Sequence, residues 1–332
     1  MGLLEHGGRL RQAAARYNIP LENWIDLSTG INPNGWPVPL CPASSWSRLP
    51  EDDDGLTAIA KTYYGAKHIL PVAGSQAAIQ ALPRLCPLKR EAKIGVLFPG
   101  YGEHMHAWRE HGFNAQPIDS EDIDGQIDDL SVLILINPNN PTGARFDITQ
   151  MLEWHDKLAR RNGWLIVDEA FMDATSEMSL IPHADRPGLI VLRSLGKFFG
   201  LAGARVGFVA AEPDLLAQLN AQLGPWTING PARWVAGEAL RDIDWQKATR
   251  NRLSRESERL GELLTRYGLA PTGGSALFHW VQQQNAVGIH DALARQSILT
   301  RLFPGPKSLR FGLPGREDEW ARLDAALREI SL

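Results

Sequence analysis

Leu189-Ile190-Val191-Leu192-Arg193-Ser194-Leu195-Gly196-Lys197 is an apolar run of strand length that stops on a hydroxyl, turns at a glycine and presents a lysine. A second apolar run at 206 to 210 follows directly on Arg205. Short continuous apolar runs bounded by turn residues mark strands buried on both faces. Further runs at 94 to 98, 132 to 136 and 164 to 168 alternate with helical patterns such as 149 to 162. Strands spaced by helices predict a mostly parallel α/β sheet covered on both faces, expected over residues 40 to 230. From 231 the pattern shifts to long helical stretches, notably 244 to 267, with short strands near 276 to 281 and 308 to 312. A smaller α+β domain is expected there, over 231 to 332.

Four more segments sit at the ends of these runs. Asn137-Pro138-Asn139-Asn140-Pro141-Thr142-Gly143 follows the run 132 to 136, and Asp168-Glu169-Ala170 closes the run 164 to 168. Gly74-Ser75-Gln76 opens a helical stretch, and Phe98-Pro99-Gly100-Tyr101-Gly102 ends another apolar strand. A lysine between a hydroxyl and an arginine fits the anchor of an aldehyde cofactor that carries a phosphate, and the ordered set points to pyridoxal 5'-phosphate (PLP). In that reading Lys197 forms the imine with the cofactor and then serves as general base or acid at the reacting carbon. Asp168 keeps the pyridine nitrogen protonated, from the carboxyl edge of the sheet where ligands of open α/β folds bind. Asn140 donates to the ring's 3'-oxygen. Gly74, Ser75 and Gln76 form the main phosphate cup at a helix amino terminus, with Ser194 and Arg205 as further phosphate ligands. Tyr101 lies flat against the pyridine face. Taken singly, Asp168 also reads as a cap, Asn140 as part of an ordinary turn and Tyr101 as a core aromatic.

The chain resembles the fold-type I PLP enzymes of the aspartate aminotransferase superfamily, on the histidinol-phosphate aminotransferase branch. The resemblance runs from His6-Gly7-Gly8 and Ser28-Thr29-Gly30-Ile31-Asn32-Pro33 to Ser308-Leu309-Arg310-Phe311-Gly312. It implies a large domain with a seven-stranded sheet between helices, and a smaller domain joined by residues 1 to 39. Within the branch the chain is most similar to the threonine-phosphate decarboxylases of cobalamin biosynthesis. Those enzymes share its His-Gly-Gly opening, its Ile31-Asn32-Pro33-Asn34-Gly35 loop, and Phe171 where aminotransferases usually carry a tyrosine that donates to the cofactor's 3'-oxygen. The resemblance implies that His6, with Arg9 beside it, meets a substrate phosphate, and that Arg310 and Asn32 hold the substrate carboxylate. The phosphorylated amino acid would be L-threonine O-3-phosphate, converted to (R)-1-aminopropan-2-ol O-phosphate and carbon dioxide. A histidinol-phosphate-type aminotransferase and a PLP-binding scaffold without catalysis are the other readings. Arg310 serves aminotransferases equally and does not separate them. A homodimer is implied too, although Leu49 stands where relatives often place a tyrosine that reaches a partner's cofactor phosphate; Tyr63 or Tyr64 is the candidate substitute. A pathway enzyme is a further candidate partner.

Composition agrees. The chain has 332 residues, 44% hydrophobic and 22% charged, enough to bury a large core. A formal charge of −4 gives no reason to expect nucleic acid or an anionic membrane as partner. Cys41 and Cys86 are too few for a disulfide framework. No apolar stretch approaches the roughly 18 residues of a membrane span, and the opening segment does not read as a signal peptide, so a cytoplasmic protein is expected. His104, His106 and His111 have a spacing found in metal sites but no acidic or thiol partner, so no metal is expected and they read as a solvated helix face. Glu51-Asp52-Asp53-Asp54 reads as a helix cap, and Trp226 as a packing residue.

Overall fold

A computed structural model describes residues 6 to 330. The chain divides into two compact units. The larger holds residues 36–140 and 145–246; the smaller holds the segment up to Gly35, residues 141–144 and the chain from Lys247 on. The larger unit thus continues to Gln246 rather than ending at 230. The reason is the helix Gly230–Arg241, which packs along Leu56–Tyr64 and is tied to that region by Arg233, whose guanidinium donates to both Asp54 oxygens at 2.6 and 2.8 Å.

In chain order the strands are β1 (Ile25–Asp26), β2 (Leu70–Val72), β3 (Lys93–Leu97), β4 (Asn114–Ile118), β5 (Val132–Ile136), β6 (Trp164–Asp168), β7 (Leu189–Ser194), β8 (Gly207–Ala210), β9 (Gly273–Ser275), β10 (Phe278–Gln282), β11 (Ile298–Leu299), β12 (Arg301–Phe303) and β13 (Ser308–Gly312). The larger unit is built on a seven-stranded sheet in the order β2-β8-β7-β6-β5-β3-β4. β8 alone runs antiparallel to its neighbours. Every residue of β5 and β6 is buried, which is why these strands read as unbroken apolar runs rather than alternating ones. The reversal of β8 positions the site. Six strands run in one direction and deliver their following loops to one edge, and the antiparallel strand brings its preceding residue, Arg205, to that same edge.

The smaller unit carries the antiparallel sheet β12-β13-β10-β9 and the parallel pair β1-β11. In β12 and β13, Arg301 stands directly opposite Arg310. No helix of the described residues is long and apolar enough to cross a membrane.

Local chemistry explains several ends. Asp147 accepts from Thr149 N at 2.8 Å and caps the helix Ile148–Ala159. Asp54 accepts from Leu56 N at 3.0 Å, so the acidic run does cap the next helix. Trp226 is exposed and left-handed (φ 58°), so it is not a packing residue.

Candidate active site

At the carboxyl edge of the larger sheet, Asp168 ends β6 and Ser194 ends the adjacent β7. The Asp168 carboxylate is buried and both its oxygens are engaged: Oδ1 accepts from Ala170 N at 3.0 Å, and Oδ2 lies 2.9 Å from His104 Nε2. His104 is therefore no member of a solvated face; it is buried on the inner side of the helix Gly102–Glu110. The three histidines lie close in sequence, but helical geometry turns them to different surroundings. Tyr101 and His104 share one face three residues apart, and their rings meet edge to face at 6.1 Å. His111 lies past the helix end and accepts from Arg84 Nε at 2.9 Å. No group of three potential metal ligands occurs among the described residues.

Tyr101 is braced from a second side by its hydroxyl, which donates to Gln76 Oε1 at 3.1 Å. Burial, then the charges of Asp168 and Glu103, push its phenol well above the usual range, so it stays a neutral ring. Gln76 also donates to Glu103 Oε2 at 2.9 Å. Its side chain thus holds Tyr101, and only its backbone is left for the phosphate cup.

The cup is narrower than the three residues expected. The N–H of Gly74 donates to Val72 O at 2.7 Å, so the helix Ser75–Leu85 offers its first N–H groups from Ser75 and Gln76. Gly74 has φ 74° and ψ 155°, open to glycine alone, and a Cβ there would stand 2.8 Å from the Arg205 guanidinium. Arg205, itself left-handed at φ 54°, therefore arches over a glycine at the positive end of a helix. Ser194 Oγ accepts from Gly196 N at 3.2 Å and shapes the turn into Lys197. The Lys197 ammonium sits 5.2 Å from the centre of the buried Phe171 ring. Asn140 follows β5 at the same edge. A carboxylate with a buried imidazole behind it, a lysine, and a cationic cradle that any side chain at Gly74 would fill are the donor set PLP needs, and the residues fit it.

In the smaller unit the Arg310 guanidinium is buried and donates to Ser28 O. Burial, and then the neighbouring Arg301, pushes Arg310 down to about 9, against a smaller opposite effect of Asp26. Asn32 is buried, and its Oδ1 accepts from Arg252 at 2.9 Å and from Asn34 N at 3.1 Å. His6 and Arg9 line one cavity of about 430 Å³ together with Ser28 and Arg301. Arg301 went unrecognised in the sequence, since only strand register places it against Arg310.

Of the two tyrosines named as substitutes for Leu49, Tyr63 donates its hydroxyl to Asp173 at 3.2 Å, and Tyr64 is buried beneath the Arg193 guanidinium, 4.8 Å from its ring centre.

Residues 53–323 match the family model of aminotransferase class I and II. The chain belongs to that family. Over 325 residues this class I and II aminotransferase chain is 57% identical to a threonine-phosphate decarboxylase of Pseudomonas aeruginosa, covering 98% of this chain and 97% of that one. A Sinorhizobium threonine-phosphate decarboxylase is 38% identical over 333 residues, with 98% of each covered. Among solved structures, the histidinol-phosphate aminotransferase of Sinorhizobium meliloti in complex with pyridoxal 5'-phosphate superposes with a TM-score of 0.80 at 22% identity, covering 99% of this chain and 95% of that one. The fold-type I architecture expected from the motifs is thus the one present.

Proposed function

We propose that this chain is a PLP-dependent carboxy-lyase that converts L-threonine O-3-phosphate to (R)-1-aminopropan-2-ol O-phosphate and carbon dioxide in cobalamin biosynthesis. The observation that carries this reading is the 57% identity, over nearly the whole chain, to a threonine-phosphate decarboxylase. The cofactor residues support it, since Lys197, Asp168, Asn140, Ser194 and Arg205 all stand at one sheet edge.

When bound, PLP supplies an electron sink for the pair released at the substrate's α-carbon. Asp168, held by His104, would face the pyridine nitrogen and favour its protonated form. The N–H groups of Ser75 and Gln76, with Ser194 and Arg205, would hold the cofactor phosphate, Asn140 would donate to the 3'-oxygen, and Tyr101 would pack on the ring. Phe171 offers no hydroxyl, so the 3'-oxygen has one donor fewer than a tyrosine would provide. Arg310, with the amide of Asn32, grips the substrate carboxylate. By fixing that carboxylate, the two residues would set which bond at the α-carbon breaks, and so favour loss of carbon dioxide. Lys197 then delivers a proton to the carbon that lost carbon dioxide. His6 and Arg9 meet the substrate phosphate.

A cytoplasmic homodimer belongs to the same reading. Leu40, Trp46 and Leu49 are exposed within one short stretch at the start of the larger unit, the kind of apolar patch a second copy would cover. Contact with another enzyme of the pathway is a finer possibility that a pull-down with the pathway enzymes tests.

The direct test supplies purified protein with PLP and L-threonine O-3-phosphate, without any 2-oxo acid, and follows carbon dioxide and the amine. Sustained multiple turnovers are expected. No release, with conversion of the cofactor to its pyridoxamine form by histidinol phosphate, would make the chain an aminotransferase; cofactor absorbance with neither reaction would make it a scaffold.

A further inference from the structure

Lys197 is followed at once by Phe198 and Phe199, both fully buried, and a short loop there is closed by Gly200 N donating to Lys197 O at 3.1 Å. Those two phenylalanines are gripped by residues far away in sequence. Trp245 stacks on Phe199 at 5.6 Å between ring centres and 18° between planes, and meets Phe198 edge to face at 5.5 Å. Tyr63 closes the other side of Phe199 at 5.8 Å. Trp36 takes the backbone: its N–H donates to Phe199 O at 2.8 Å.

Asp242 locks the two tryptophans to each other. Its Oδ2 accepts from Trp36 Nε1 at 2.9 Å, and its Oδ1 accepts from Trp245 N at 3.0 Å. Trp36 is the first residue of the larger unit, and Trp245 immediately precedes its last, Gln246. One carboxylate therefore gathers both ends of the unit onto the two residues after the lysine. A lysine side chain is a flexible stem with four soft torsions. Its reach is set by where its backbone is held.

We propose that Trp36, Asp242 and Trp245 form a clamp that positions the Lys197 amine, through Phe198 and Phe199. They are positioning residues, acting on the amine through the two phenylalanines. The inference deepens the decarboxylase reading and rests on it only for the choice of substrate in the assay. Misplacing a reacting group by a fraction of an ångström costs rate more than binding, so loss of the stack acts on kcat.

The test compares wild type, Trp245→Leu, which removes the stacked plane, and Trp245→Phe, which keeps one, all as holoenzyme. Three quantities are read: kcat and KM for L-threonine O-3-phosphate, the pH midpoint of the visible absorbance of lysine-bound PLP, and PLP affinity. Trp245→Leu is expected to lower kcat by about tenfold with KM unchanged, to move the pH midpoint and to weaken PLP, while Trp245→Phe restores all of these. If the midpoint and kcat of folded Trp245→Leu match wild type, or kcat falls only in step with the folded fraction, the tryptophan is mere packing and the clamp is wrong. Trp36→Phe removes the indole N–H to Asp242 while keeping an aromatic ring and the backbone N–H to Phe199, and gives the same readout should Trp245→Leu fail to fold. If wild type releases no carbon dioxide, the substrate reading fails, and the absorbance midpoints still decide the clamp.

Discussion

His104 Nε2 and Asp168 Oδ2 lie 2.9 Å apart, and both side chains are buried. A buried carboxylate oxygen left without a hydrogen-bond partner costs free energy, and the imidazole is the partner that Oδ2 has in this buried place.

Replacing His104 with Leu therefore leaves one Asp168 oxygen buried without its partner, a cost of about 1–3 kcal/mol. PLP affinity and kcat are expected to fall by roughly tenfold or more, with His104→Asn recovering part of the loss. A PLP titration followed by absorbance reads this directly, and wild-type affinity in His104→Leu would remove the imidazole from the site's design.

Lys197→Ala should abolish turnover while the apoprotein melts as wild type does. Borohydride reduction followed by mass spectrometry is expected to leave the cofactor attached to wild type and absent from the variant. Turnover by the alanine variant would refute the cofactor assignment.

Burial pushes Arg310 down to about 9, so its charge is present at neutral pH and lost as pH rises through that value. A carboxylate ligand stays ionised across the same range. For a competitive inhibitor that keeps the substrate's carboxylate and phosphate but lacks the amine, Ki is expected to rise by about tenfold per pH unit above that point. Folding shows the opposite sign: above about 9 the unfolded chain holds more protons, so the cost of burying this charge is relieved as pH rises. A Ki independent of pH over this interval would mean that Arg310 does not grip the carboxylate.

Arg193 is buried against Glu169 at 3.4 Å and Asp173 at 3.7 Å. Burial alone would push its guanidinium down, but the two carboxylates reverse that and hold it above its usual value. Arg193→Met strands two buried carboxylates and should cost about 3–5 kcal/mol in urea unfolding. Adding Glu169→Gln and Asp173→Asn to it is expected to restore part of that stability, and a further loss instead would show that the cluster is not electrostatically coupled.

Gly74→Ala forces a side chain into a glycine-only conformation and against the Arg205 guanidinium. A loss of about 1–3 kcal/mol of stability is expected, with PLP binding weakened beyond what that loss explains. Titrating PLP against the fully folded variant separates the two effects.

What the sequence determined was everything that local order and burial write into residue type. Buried parallel strands demand unbroken apolar runs, so β5, β6 and β7 were legible, and with them Asp168, Ser194 and Lys197 at their ends. A left-handed turn before a helix demands glycine, so Gly74 was legible too. What only the tertiary structure decided were pairings between segments distant along the chain. His104 meets Asp168 because one face of a helix lies against a strand end, and Gln76 turns to Tyr101 and Glu103 instead of the phosphate cup. Arg301 stands against Arg310 through strand register, and Trp245 reaches Phe199 because both ends of the larger unit fold back to one point. None of these contacts has a spacing in the sequence, because each is fixed by the packing of whole elements and not by the residues on either side.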